Sequence, residues 1–193
     1  MAAGRIALVG NPNVGKSVIF RLLTGSYVDV SNYPGTTVDV SRGRLDGDWV
    51  VDTPGIWGLA ADGEEERVTL AILSSADLVV NVIDATSLER GLFLALELKR
   101  AGASLVVALN MMDEARARGV EIDVEALGRY LGAPVVPMVA VRGEGRDRLL
   151  RAILAAPRRR AQLPAEGDEA ATLREARALA ARVMTLRGAP GGR

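Results

Sequence analysis

The 193-residue chain contains no cysteine and no histidine. The first absence excludes structural disulfides and thiolate metal sites, and the two together remove the usual ligands of zinc, copper and haem. A transition metal in the biology of this protein is therefore expected to be bound elsewhere than on this chain. Lysine is almost as scarce: Lys16 and Lys99 are the only two, and the remaining basic residues are arginine. A lysine found inside a functional motif is then hard to ascribe to composition. Net charge is absent as well, with 24 basic residues against 24 acidic ones, so no global field draws in nucleic acid or an anionic membrane. No stretch reaches the roughly 18 apolar residues of a membrane span, and MAAGRIALVGN lacks the long apolar region of a signal peptide. As given, the chain is expected to be soluble and intracellular. What is present is a hydrophobic share of 49%, enough for the core of one domain of ordinary size.

Short apolar, β-branched runs recur: RIALVG, DWVVD, DLVVNVID, SLVVALN and PVVPMVAV. Near-continuous hydrophobicity over such lengths predicts strands buried on both faces, as in a parallel sheet. Helical patterns lie between them, in KSVIFRLLTG and at roughly 64–75, 88–101, 124–131 and 147–155. The alternation predicts an α/β class with a doubly wound, mostly parallel sheet. Asp46-Gly47, between DVSRGRL and DWVVD, predicts a hairpin and hence one antiparallel edge strand. Residues 1–156 are expected to form this domain. Residues 157–193 read as a polar, proline-punctuated linker and a short C-terminal amphipathic helix, with GAPGGR fraying at the end. Leu173, Ala176, Ala180, Val183 and Leu186 fall near one face of that helix, which must pack on the domain or on a larger unit.

GNPNVGKS, residues 10–17, follows the first predicted strand and opens the first helix. Gly-x4-Gly-Lys-Ser in that context is a phosphate-binding loop. Gly10, Asn11, Pro12, Asn13, Val14, Gly15, Lys16 and Ser17 are expected to wrap a nucleotide's phosphates, with the helix N-terminus adding partial positive charge. Lys16 should reach the β- and γ-phosphates, and the Ser17 hydroxyl should ligate Mg²⁺. DTPG, residues 52–55, ends the next core strand. Asp52 is placed to hold Mg²⁺ directly or through water, and the Gly55 N–H to bond the γ-phosphate. The plain alternative is an Asp-started turn. In NMMD, Asn110, Met111 and Asp113 stand where a sheet of this kind binds its ligand. The Asp113 carboxylate can accept from N1–H and the N2 amino group of guanine, donors that adenine lacks, so the expected ligand is GTP or GDP. NYPGTTVD suits a first switch loop, in which Thr37 or its neighbour Thr36 completes the Mg²⁺ shell around a Pro34-Gly35 turn. In VAVRGEG, the Ala140 N–H, flanked by Val139 and Val141, is the expected donor to guanine O6.

VDTPGIWG poses the chemical question. In Ras-like GTPases the residue after this Asp-x-x-Gly is a glutamine that aligns the attacking water. Here it is Ile56, which neither donates nor accepts a hydrogen bond. Either the chain does not hydrolyse nucleotide, or another group does the work. The following stretch, IWGLAADGEEERVTL, reads as a second switch.

GNPNVGKS, NYPGTTVD, DTPG, NMMDEA and ADLVVNVIDATSLERGLFLALEL together resemble the N-terminal G domain of the ferrous iron transport protein B (FeoB) family, over residues 4–155. That family typically carries an apolar residue where most GTPases have the lysine of Asn-Lys-x-Asp, and Met111 fits. The resemblance implies a Ras-like P-loop GTPase of slow intrinsic rate that regulates a membrane pore for Fe²⁺ from the cytoplasmic side, with the pore region as partner and no nucleic acid involved. It also implies an answer to Ile56. In potassium-stimulated GTPases a phosphate-loop asparagine, matching Asn13, helps hold K⁺ beside the β- and γ-phosphates, and switch carbonyls, matching the loop from Asn32 to Gly35, complete the shell. Asn13, Lys16 and Gly55 then form the catalytic set. Asparagine also suits a tight loop for its backbone alone. The chain departs from the family in its short tail, a remnant or compact form of the usual helical domain, and in Val139, which stands where a serine usually precedes the guanine-loop alanine. Three rivals remain open: an Era- or Obg-like GTPase working on the ribosome, a guanine-nucleotide sensor without turnover, and an ATP-using kinase. The first would need a basic, aromatic RNA-binding appendix, whereas the tail offers only Arg158–Arg160 and no aromatic residue.

Overall fold

The computed structural model describes residues 3–25, 29–60, 62–163 and 168–186; residues 188–193, expected to fray, lie outside them. The three longest apolar runs become β1 (Arg5–Gly10), β5 (Leu78–Asp84) and β6 (Leu105–Asn110). Alternate residues of each enter opposite cores, as the pleat requires. Ala7, Val9, Val79, Ile83, Val107 and Leu109 face one core, where Leu73 of α2 (Glu64–Ser75), Leu92 of α3 (Leu88–Arg100) and Leu127 of α5 (Val124–Leu131) meet them. Ile6, Leu8, Val80, Val82, Val106 and Ala108 face the other, against Ile19 and Phe20 of α1 (Lys16–Thr24) and Leu149 and Ile153 of α6 (Arg146–Ala155). Helices thus cover both faces, which is the doubly wound arrangement. Each such side chain removed from water contributes about 1.5–3 kcal/mol, and this burial is the main force holding the layers together.

Among the described residues the main sheet adds β2 (Asp29–Asn32), β3 (Asp39–Leu45), β4 (Asp48–Asp52) and β8 (Val135–Pro137), in the order β2-β3-β4-β1-β5-β6-β8. Strands β4, β1, β5, β6 and β8 run parallel, and β3 is antiparallel to both its neighbours. The hairpin sits at Asp46 (φ 48) and Gly47 (φ 89), the two left-handed residues that match the twist of the flanking strands. The antiparallel strand is not at the edge, however: β2 takes that place, pairing with residues Asp39 to Arg42 of β3. All four β2 side chains are exposed, so no apolar alternation marks it in the sequence. From β1 the chain fills one side of the sheet before crossing to β5 on the other. The connections therefore diverge at the C-terminal end of β1, where folds of this class open a ligand crevice.

The C-terminal helix, α7 (Glu169–Val183), lays Ala176, Leu179, Ala180 and Val183 into the core shared with α3. An Arg100–Glu175 pair and an Arg177–Glu89 pair (2.7 Å) flank that contact. Leu186 does not continue the helical stripe. It belongs to β9 (Met184–Leu186), which pairs antiparallel with β7 (Val120–Ile122), and it is 74% exposed. A partner strand more than 60 positions upstream captures the chain there, which helical periodicity cannot anticipate. No helix among the described residues is long and apolar enough to cross a membrane.

Candidate functional site

β1 delivers Gly10 to the crevice, where a Cβ would lie 2.5 Å from the Val82 carbonyl oxygen of the adjacent strand. Only glycine fits that approach. The loop then turns through left-handed backbone at Asn13 (φ 64) and Gly15 (φ 86), so Asn13 does adopt the conformation that asparagine tolerates. A Cβ on Gly15 would meet Asn110 Nδ2 at 2.3 Å. No side chain caps the start of α1, which leaves its first-turn N–H groups for an anion.

Lys16, Ser17 and Asp52 converge. Lys16 Nζ donates to one Asp52 oxygen at 3.1 Å and Ser17 Oγ to the other at 2.9 Å. The ion pair is largely shielded from water, with side-chain exposures of 12% and 10%. A hydroxyl and a carboxylate are hard oxygen donors, the set that suits Mg²⁺. They line a cavity of about 560 Å³ together with Thr37, Gly55 and Glu64. Thr37 does not turn to Ser17 and Asp52: its hydroxyl donates to Glu64 Oε2 at 3.2 Å. Thr36 donates to the Tyr33 carbonyl at 2.9 Å, so neither threonine completes the metal set in this arrangement. Gly35 (φ 80) shapes the turn between Tyr33 and Val38, closed by a Tyr33 N–H bond to Val38 O at 2.8 Å. Asn13, Asn32 and Gly35 are all exposed.

Ile56 proves to be a wall of the core. Its side chain is fully buried, its N–H donates to Gly10 O at 3.1 Å, and its carbonyl accepts from Asn11 Nδ2 at 2.9 Å. Asn11 and Ile56 thereby fasten the phosphate loop to the DTPG loop. Gly55 packs so closely that a Cβ would sit 2.9 Å from the Pro12 backbone. The segment continues onto α3, where the Leu59 N–H donates to Glu97 Oε2 at 2.8 Å and Arg90 lies 5.7 Å from the Trp57 ring. Burial pushes the Glu97 carboxyl above its usual range, the Leu59 N–H partly opposing it. Glu97 carries no signal in sequence, because it reads as one more charge on an amphipathic helix.

The base-binding loops are joined by Asn110. Its Nδ2 donates to Val14 O at 3.0 Å, and its Oδ1 accepts from Ala140 N–H at 2.9 Å. It therefore staples the phosphate loop, the β6 end and the loop after β8. This corrects one expectation: the Ala140 N–H is committed to Asn110 and is not the free donor for guanine O6. A short 3₁₀ turn spans Ala140–Arg142, closed by reciprocal Val139–Glu144 backbone bonds of 3.2 Å, and Val141 is 80% exposed upon it. Met111 stands in left-handed backbone (φ 60) and opens α4 (Met112–Ala117), which presents Asp113 in its first turn. Asp113 Oδ2 accepts from Arg142 Nη2 at 2.8 Å, a partner the sequence did not suggest.

Comparison with known proteins agrees with this geometry. A sequence model of the family described as ferrous iron transport protein B matches residues 4–153. The Fe(2+) transporter FeoB of Salmonella typhimurium is 43% identical over 158 residues, 77% of this chain and 20% of its own length. An Fe(2+) transport protein A/Fe(2+) transporter FeoB fusion protein of Porphyromonas gingivalis is 41% identical over 157 residues, 78% of this chain and 19% of its own. The chain thus spans about a fifth of the length of these relatives. Among solved structures, a GDP-bound S. thermophilus NFeoB mutant has 38% identity and a TM-score of 0.73, covering 77% of this chain and 60% of that one. The cytosolic domain of the T. maritima FeoB iron transporter in apo form has 35% identity and a TM-score of 0.73, covering 79% and 63%. The rival ribosomal and kinase readings give way to these matches. The chain belongs to the ferrous iron transport protein B family and carries that family's G domain, with the fold of a P-loop GTPase.

Proposed function

We propose that this domain binds GTP with Mg²⁺, hydrolyses it slowly with help from K⁺, and so regulates a ferrous iron pore from the cytoplasmic face of a membrane. The observation that carries the reading is the convergence of Lys16 Nζ and Ser17 Oγ on the two oxygens of Asp52 at the mouth of the phosphate loop. Phosphate oxygens arriving there exchange with Asp52 for the Lys16 ammonium, and the freed carboxylate and the Ser17 hydroxyl face the metal. Mg²⁺ bound there neutralises charge on the β- and γ-phosphates. Gly55 N–H bonds the γ-phosphate and Asp113 accepts from the guanine edge. With the Ala140 N–H committed to Asn110, the donor to guanine O6 passes to the next amide, that of Val141. K⁺ held by Asn13 and the carbonyls between Asn32 and Gly35 offsets charge developing in the transition state, where Ile56 offers nothing. The closure this needs is a movement of the Asn32–Val38 loop toward Asn13, with Thr37 leaving Glu64 for the metal. Residues 157–193 act as linker and helical cover of the G domain.

The test is binding and turnover of GTP beside ATP, with Mg²⁺ and with EDTA. GTP-selective, Mg²⁺-dependent release of phosphate is the expected result; equal binding of ATP removes the guanine assignment. One observation favours a second reading, a nucleotide sensor without turnover of its own. Ile56 is locked in the core by side chain and backbone alike, so the position that aligns water in Ras-like proteins contributes no catalytic group here.

A further inference from the structure

Arg142 has no role in the nucleotide chemistry above, yet it holds the carboxylate on which guanine selectivity depends. Its Nη2 lies 2.8 Å from Asp113 Oδ2 and its Nη1 3.5 Å from Glu144 Oε1. The backbone that presents it is fixed. Ala140 N–H is tied to Asn110, Val139 and Glu144 exchange backbone bonds, and Gly143 (φ 71) and Gly145 (φ 88) hold left-handed turns. Through Asn110 this loop is registered against the same β6–α4 junction that carries Asp113. The pairing is therefore built in by the fold. The Arg142 side chain itself is 59% exposed, so its release requires little repacking.

We propose that Arg142 is a built-in competitor of the guanine edge, a residue that sets nucleotide release and affinity by occupying Asp113. The proposal rests on the reading that Asp113 is the guanine acceptor. A carboxylate that accepts two donors from guanine must let go of the guanidinium, and the displaced Arg142 keeps Glu144 as its alternative partner. Guanine nucleotide thus binds against an internal ion pair and leaves more readily than it would without one. An exposed or half-exposed pair of this kind supports an effect of about two- to five-fold, and one that shrinks as salt screens it.

The experiment uses the full chain and the N-methylanthraniloyl derivative of GDP, with affinity from titration and release from chase with unlabelled GDP. Arg142→Ala is expected to bind about two- to five-fold more tightly and to release correspondingly more slowly, with the gap from wild type narrowing at high KCl. Arg142→Lys, which keeps the charge, should stay near wild type. In an Asp113→Asn background, whose amide suits the O2 of xanthine, Arg142→Ala should leave the affinity for xanthosine diphosphate unchanged, because the ion pair is already gone. Weaker or unchanged GDP binding by Arg142→Ala, with Asp113→Asn losing GDP as expected, overturns the competitor role alone and makes Arg142 a base contact or a bystander. Retention of full GDP affinity by Asp113→Asn overturns the guanine reading as well.

Discussion

Replacing Ile56 with glutamine restores the residue that Ras-like GTPases use, and the structure states what should follow. The Ile56 side chain is fully buried in the core that also holds Val9, Leu59 and Leu73. Removing it forfeits about 1.5–3 kcal/mol of apolar burial. An amide left in its place without a partner adds about 1–3 kcal/mol. Ile56→Gln should therefore lose roughly 3–5 kcal/mol, a large part of the ~5–15 kcal/mol that holds a domain together. Ile56→Val, which removes one methylene, should lose only about 0.5–1.5 kcal/mol. Equilibrium urea unfolding reads both, with the Gln variant's midpoint falling by on the order of 1–2 M. Single-turnover GTP hydrolysis on the same samples should show no gain for Ile56→Gln, because the backbone bonds to Gly10 and Asn11 hold position 56 turned into the core. A Gln variant as stable as wild type and faster in hydrolysis would refute the claim that this position is structural.

Asn110→Ala removes two buried hydrogen bonds and strands Val14 O and Ala140 N–H, so stability should fall by roughly 2–4 kcal/mol and nucleotide affinity with it, measured by thermal unfolding and titration. Loss of affinity without loss of stability would make Asn110 a direct base ligand instead. Glu97 predicts a pH dependence. Its folded pKa is raised by burial, so the native state binds its proton more tightly than the unfolded state does. Its contribution to stability is therefore greatest when protonated and declines as pH climbs from the ordinary carboxylate range through the raised value. Glu97→Gln keeps an acceptor for the Leu59 N–H, and urea midpoints followed across that window should lose the decline; an unchanged profile assigns it to other groups.

The chemistry-bearing loops were legible because each is specified locally. Gly10, Gly15 and the Asp46-Gly47 turn occupy backbone or space that few residues can, and Lys16 stands out in a chain nearly devoid of lysine. The apolar runs of β1, β5 and β6 announced two-sided burial. What escaped depends on distant partners. β2 has four exposed side chains and exists through pairing with β3, while β9 takes Leu186 from the helical stripe by pairing with β7. The commitment of Ala140 N–H to Asn110, 30 residues away, and the Arg142–Asp113 pair are likewise contacts between loops that no spacing rule connects. Asn13 illustrates the limit: its left-handed backbone accounts for an asparagine at that position, and its ion-binding role is a separate matter for measurement.

That role is where the account is most exposed. GTP hydrolysis should be measured at matched ionic strength in KCl and in NaCl, for the chain and for Asn13→Ala, with nucleotide affinity determined in parallel. Faster turnover in KCl that disappears in the variant, at preserved affinity, is the predicted result. Equal rates in the two salts with GTP still bound would contradict cation assistance, and would leave the domain a nucleotide sensor that takes its catalytic group from a partner.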